Sequence, residues 1–251
     1  MAAKTSPAKK ARPARKSAAK TPAQGRRFRP MRWVLRGAFR LGVIMSAVML
    51  MLVLAFKGLN PPTTHTIWSE QRRLGTVEQV WMDVDAIAPV MLRAAVAAED
   101  ANFCSHWGFD MAAIRAAIES GAARGGSTIS QQVVKNVYLW QGRSYLRKAL
   151  EALMTPMVEA LWSKRRILEV YLNVAEFDTG VFGVEAAARH YFGVGAGDLS
   201  ARQASLLAAV LPNPKNRNAA RPTAYLERRA RSIRSGADTI AADGRAACFE
   251  R

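Results

Sequence analysis

The sequence predicts a mainly α-helical domain preceded by a single membrane-spanning helix. Three observations lead there. A charge-free apolar run of sixteen residues, Leu41 to Phe56, follows a strongly basic N-terminal stretch. Over most of the remaining chain apolar residues recur at helical spacing, without the sustained alternation of a half-buried strand. Helix-start signals are regular, with Thr128–Gln131 and Ser200–Gln203 both at capping-box spacing.

Taken in order, residues 1–32 repeat Ala, Lys, Pro, Arg and Ser and lack the large apolar side chains that would offset chain entropy, so they read as a disordered tail. The net charge of +18 is concentrated there: thirteen of the thirty-seven Lys and Arg, and no acid, fall in residues 1–40, which leaves +5 for the remainder. That distribution removes most support for a nucleic-acid-binding domain. Residues 33–59 form the anchor, which spans a hydrocarbon layer of about 30 Å, with Arg36, Arg40 and Lys57 snorkelling to the headgroups. No small-residue cleavage site of the Ala-x-Ala kind follows, so the segment reads as uncleaved. By the positive-inside rule the tail is cytoplasmic, and residues from about 60 onward are expected on the outer side of the membrane, which in a cell with an inner membrane is the periplasmic side.

Residues 60–75 are polar and Pro-rich and read as a linker, followed by a domain over 76–240 and a tail over 241–251. Pro89 opens a helix with an apolar stripe at Leu92, Ala95 and Val96. Asp110 caps MAAIRAAIES, which stops at Gly121. Further helices are expected at QQVVKNVYLW, from Tyr145 to Trp162 with a kink at Pro156, from Lys164 to Val174, and at ASLLAAVL. Cys104 and Cys248 fit neither a disulfide framework nor a zinc pattern and read as free thiols.

Several side chains stand out chemically. Glu99 takes the i+7 position of the stripe begun at Leu92 and falls in the last helical turn, where desolvation and the helix dipole both raise a carboxyl pKa. Spacing alone suits a proton-transfer group and a solvated rim carboxylate equally. Gly125-Gly126-Ser127-Thr128 leads into a helix N-terminus that offers N–H groups to an anion, although a plain loop fits the same residues. Ser127, Gln131 and Lys135, four apart, would line one face of that helix. Glu151 follows Arg147 by four and Lys148 by three, with Arg143 a turn earlier, which suits an ordinary surface ion-pair helix. Arg165, Glu169 and Asn173 share a polar face that would brace the site from behind. His106 and Asp110 form no ligand pattern for zinc, and no nucleotide-binding glycine motif or P-loop lysine is present.

Together these segments resemble the monofunctional biosynthetic peptidoglycan transglycosylases of glycosyltransferase family 51. The resemblance rests on EDANFCSHWGFD at 99–110, GGSTISQQVVKN at 125–136, RKALE at 147–151, KRRILEVYLN at 164–173 and LPNP at 211–214, and covers roughly residues 80–235. It implies a lysozyme-like, two-lobed, mainly α catalytic domain with a membrane-dipping jaw, and the absence of a transpeptidase domain indicates the stand-alone form. It implies polymerisation of lipid II onto a growing lipid-linked glycan, with inversion at the donor anomeric carbon and release of undecaprenyl pyrophosphate. Glu99 would then be the base, and Glu151 the second acidic group. Arg124, Ser127, Thr128, Gln131, Lys135, Asn136, Arg143, Arg147 and Lys148 would bind substrate and pyrophosphate, while Asp100, Phe103, His106, Gly108, Asp110, Glu169 and Asn173 would support the site. A divalent cation such as magnesium and partner proteins of cell-wall synthesis belong to the same expectation. The short connection Gly121–Arg124 suggests a reduced jaw, and leaves Arg115 and Arg124 as alternative phosphate contacts. A lysozyme-like glycan-cleaving enzyme and a non-catalytic anchored scaffold are the competing classes; a hydrolase, with a neutral leaving group, has no use for cations beside its cleft.

Overall fold

A computed structural model describes residues 1–3, 30–119, 121, 126–142 and 144–250. Most of the basic tail, and Arg124 and Arg143 among the candidate site residues, lie outside them. The chain divides into two compact units, residues 1–46 and 47–251.

Helix α1 (Pro30–Phe56) contains the apolar run and is long and apolar enough to cross a membrane. It starts three residues earlier than the sequence suggested, and it also ends three earlier, where the chain turns at Gly58 and Leu59, whose N–H groups both bond the Ala55 carbonyl. The end of α1 belongs to the second unit. Val53 is fully buried, and its carbonyl accepts a 2.8 Å bond from Trp162 Nε1. The Arg166 guanidinium bonds the carbonyls of Phe56 at 3.1 Å and Leu59 at 2.7 Å, placing a cation where the helix dipole favours one.

After α1 come α2 (His65–Leu74), β1 (Glu78–Gln79), α3 (Pro89–Glu99), α4 (Met111–Glu119), α5 (Ile129–Tyr138), α6 (Tyr145–Leu161) and α7 (Lys164–Val174). The chain continues through β2 (Glu176–Asp178), β3 (Val181–Phe182), α8 (Val184–Phe192), α9 (Ala201–Val210), α10 (Ala224–Ala242) and α11 (Ala247–Glu250). Within the second unit, α3, α9 and α10 pack as one group, and α5, α6 and α7 as another, which gives the expected two-lobed, mainly α architecture. Both capping boxes form as the spacing required, at Thr128–Gln131 and Ser200–Gln203. Pro156 has no N–H to give the Ala152 carbonyl, yet α6 continues to Leu161. The sheet, ordered β1-β3-β2 with β1 parallel and β2 antiparallel to β3, has strands of two or three residues, too short for an alternating pattern to show in the sequence.

Two expectations are corrected. Residues 65–74 are not a bare linker: Thr64 caps α2, Ile67 is buried, and Glu70 reaches Lys215 Nζ at 2.9 Å. The expected C-terminal tail, 241–251, packs on the domain over its described residues, since Phe249 is fully buried and Glu250 pairs with Arg93 at 2.9 Å. The cysteines are not free thiols. Cys104 and Cys248 form a disulfide across 144 residues, because α11 folds back onto the turn after α3 and brings their Cα atoms to 5.8 Å.

Candidate active site

Helix α3 ends at Glu99, and the next residues turn away through Asp100. Glu99 is half-buried between the two helix groups, and its Oε2 accepts a 2.7 Å bond from Gln132 Nε2 on α5. Tyr171, fully buried on α7, donates its hydroxyl to Gln132 Oε1 at 3.5 Å, which turns the amide nitrogen toward the carboxylate. Burial raises the Glu99 pKa, while the Gln132 hydrogen bond and the charges of Arg229 and Lys135 oppose the rise. Glu99 lines a cavity of about 220 Å³ with Ser127 and Asp110, and its Gln132 partner lines a second of about 400 Å³ with Lys135, Asn136 and Lys215. A carboxylate with raised proton affinity thus stands where two cavities approach each other.

The start of α5 differs from the sequence reading. Its first amide, Ile129 N, is taken at 3.0 Å by Asp100 Oδ2, and Gln131 N is taken by the Thr128 hydroxyl. Two of the first-turn amides are thus already satisfied by side chains of the protein, one of them a carboxylate standing where an external anion would bind. Thr128 and Gln131 are buried, with Gln131 Oε1 accepting from Thr128 N at 3.0 Å, and Thr128 still lines the Glu99 cavity while Gln131 lines neither. The face that lines the larger cavity is Gln132, Lys135 and Asn136, at i, i+3 and i+4. The capping box contained the signal: it commits Gln131 to the helix end and moves the open face one residue along.

Glu151 is likewise not a surface partner. Its side chain is 3% exposed, with Arg147 Nη1 at 2.8 Å on one oxygen and Lys148 Nζ on the other. Arg147 also donates to the Gly142 carbonyl at 2.8 Å, so its guanidinium is committed to structure. Lys148 is half exposed and stands 3.5 Å from the exposed Ser127 hydroxyl. Lys135 is different: among the described residues it makes no ion pair, and it is half-buried within electrostatic reach of Glu151 and Glu99. Desolvation lowers its pKa, and the two carboxylates work against that. The site thus contains an unpaired, partly desolvated cation beside the carboxylate.

The supporting residues are drawn together around the turn after α3. Asp100 is buried, and its Oδ1 meets His106 Nε2 at 2.8 Å. Gly108 has φ +85°, and a Cβ there would stand 2.5 Å from Thr155 Cγ2. Its carbonyl accepts a 2.7 Å bond from Thr128. Phe103 is fully buried under the Lys164 ammonium, 4.5 Å from the ring centroid. Asp110 caps α4 through Ala113 N at 2.9 Å and holds Asn102 at 2.8 Å; the Ala113 amide lowers its pKa. Asn173, fully buried, bonds both the N–H and the carbonyl of Met82, whereas Glu169 pairs with Arg166 at the end of α1. Arg165 donates to the Phe249 carbonyl at 3.1 Å. Arg115 is exposed on α4 and lines neither cavity. Gln132, Tyr171 and Arg229, which the sequence reading did not select, touch or face Glu99.

No group of three His, Cys, Asp or Glu able to hold a metal ion occurs among the described residues. Both Glu151 oxygens are already taken by cations, so Glu151 does not fit as a ligand of a divalent ion.

Residues 67–237 match the sequence family described as Transglycosylase. The biosynthetic peptidoglycan transglycosylase of Jannaschia sp. (strain CCS1) is 59% identical over 242 residues, covering 96% of this chain and 99% of that protein. The protein of the same name from Pseudomonas fluorescens (strain Pf0-1) is 50% identical, over 77% of this chain and 85% of its own. Another from Rhodospirillum centenum (strain ATCC 51521 / SW) is 44% identical over 84% of this chain and 94% of its own.

Proposed function

The chain belongs to the transglycosylase family, and on that premise we propose that this peptidoglycan glycosyltransferase polymerises lipid II, with Glu99 as the general base. The observation that carries the assignment is the junction at Glu99: a carboxylate of raised pKa, aimed by Gln132, between two cavities and beside the unpaired Lys135.

The acceptor sugar presents its 4-hydroxyl to Glu99, which takes the proton as the oxygen attacks the donor anomeric carbon. The bond from that carbon to the phosphate oxygen breaks, the configuration inverts, and undecaprenyl pyrophosphate leaves with the electron pair. Lys135, joined by Lys148 and the Ser127 hydroxyl, offsets the charge that develops on the pyrophosphate. Glu151 acts in this scheme by fixing Arg147 and Lys148.

Helix α1 anchors the enzyme in the membrane that holds such a lipid-linked substrate. The basic N-terminal stretch supports a cytoplasmic start and a periplasmic domain. The Cys104–Cys248 disulfide supports the same orientation, since such bonds persist in oxidising compartments.

The test is incubation of the detergent-solubilised full chain with labelled lipid II, alongside Glu99→Gln. The wild type is expected to form glycan polymer. The amide variant should keep its fold and substrate binding and lose roughly 10² to 10⁴ in rate, the usual effect of removing a general base. Near-wild-type synthesis by Glu99→Gln refutes the base, and cleavage of pre-formed glycan without polymerisation makes the chain a hydrolase.

A further inference from the structure

Helix α3 leaves its last carbonyls without intrahelical donors, and it places the Glu99 carboxylate at the end where the dipole disfavours negative charge. One side chain from the other end of the sequence answers both problems. Arg229 lies on α10, one position from the buried stripe Leu226, Ala230 and Ile233, and its Nη2 donates to the Ala98 carbonyl at 3.0 Å. It forms no ion pair among the described residues, so its charge is not neutralised by a carboxylate of its own. Helix α10 also approaches the same turn through Gly236, where a Cβ would come within 3.3 Å of Ala97.

We propose that Arg229 is a positioning residue for the transfer reaction: its guanidinium holds the last turn of α3 and sets a fixed positive charge against the helix end that carries Glu99. This rests on Glu99 being the base. The other groups that face Glu99 are Gln132 and Lys135 from α5, Tyr171 from α7 and Asp100 beside it in the chain. Of these only Lys135 carries positive charge, and in the proposed reaction it is engaged by the leaving pyrophosphate. Arg229 is held by a backbone carbonyl instead, so its charge stays in place through the reaction.

The experiment is the pH profile of kcat/KM for lipid II polymerisation by the full-length chain, comparing wild type, Arg229→Gln and Arg229→Lys. Removing the cation raises the Glu99 pKa, and a base must be deprotonated, so the acid limb moves to higher pH. We expect a shift of at least about half a pH unit in Arg229→Gln, with the plateau recovered above the limb, and the wild-type limb in Arg229→Lys. A uniform loss at every pH in Arg229→Gln, as from a merely structural residue, overturns the proposal, as does an unmoved limb. Should the Gln variant not fold, Arg229→Lys decides: it keeps the charge, so a limb displaced from wild type overturns the proposal and an unmoved one supports it. Failure of the base assignment is distinguishable, since it shows as activity retained in Glu99→Gln whatever the Arg229 variants do.

Discussion

Replacing Lys135 with Ala separates rate from stability. The ammonium makes no ion pair among the described residues and is held half-buried beside the larger cavity, with its pKa lowered by desolvation. Its folded-state pKa lies below its unfolded value, so its charge opposes folding, and more so as pH falls. Losing it therefore removes no native partner, and Tm should stay within about 3 °C of wild type or rise, given roughly 2–4 °C per kcal/mol for a chain of this size. In catalysis the same ammonium faces a developing pyrophosphate, where a charge-assisted hydrogen bond contributes about 1.5–3 kcal/mol, or roughly ten- to 150-fold in rate. Arg147→Ala provides the contrast. It strips one of two cations from the buried Glu151, an expected cost of order 3 kcal/mol and a Tm lower by roughly 6–12 °C. The assay is turnover at saturating labelled lipid II by the solubilised full-length variants, with thermal melting in parallel. Full turnover by Lys135→Ala, or a Tm loss as large as that of Arg147→Ala, would refute the reasoning.

Gly108→Ala should destabilise by about 2–5 kcal/mol, because its backbone has φ +85° and a Cβ meets Thr155 at 2.5 Å; chemical denaturation measures it, and a change under 1 kcal/mol contradicts the close approach. Cys248→Ser should lower stability by about 2–5 kcal/mol, as expected for opening a long cross-linked loop, with reductant giving the same loss in wild type and none in the variant. A reporter active only outside the inner membrane should work when fused after Arg251 and fail before Met1; the reverse pattern contradicts the proposed orientation.

The helices were legible wherever a stripe and a cap coincided. Thr128–Gln131 and Ser200–Gln203 start helices as read, and Asp110 caps α4. What stayed hidden depends on partners distant in sequence. Helix α2 has only Thr66 and Ile67 buried, so its stripe is too thin to distinguish from a polar linker. The disulfide needs α11 to fold back, which no cysteine count reveals. At the site, the position of Glu99 in the stripe left a desolvated carboxylate and a solvated rim one equally open, and packing against α5 decides for the raised pKa. Glu151 misled because an i,i+4 pair with Arg looks the same in sequence whether it is solvated or buried at 3% exposure. Gln132 was passed over for Gln131 because two adjacent glutamines differ only in the face they take, and the capping box decides that face.

The disulfide also closes a ring that starts just after the proposed base. Cys104 comes five residues after Glu99 and Cys248 lies in the last helix, so the covalent ring between them contains Lys135, Glu151 and nearly all of the two helix groups. A protease that cuts the backbone once between Ser105 and Ala247 therefore cannot release either piece. The nicked enzyme should migrate as one band on a denaturing gel without thiol and as two with it, and its halves can refold as an intramolecular pair, with no dilution penalty for finding each other.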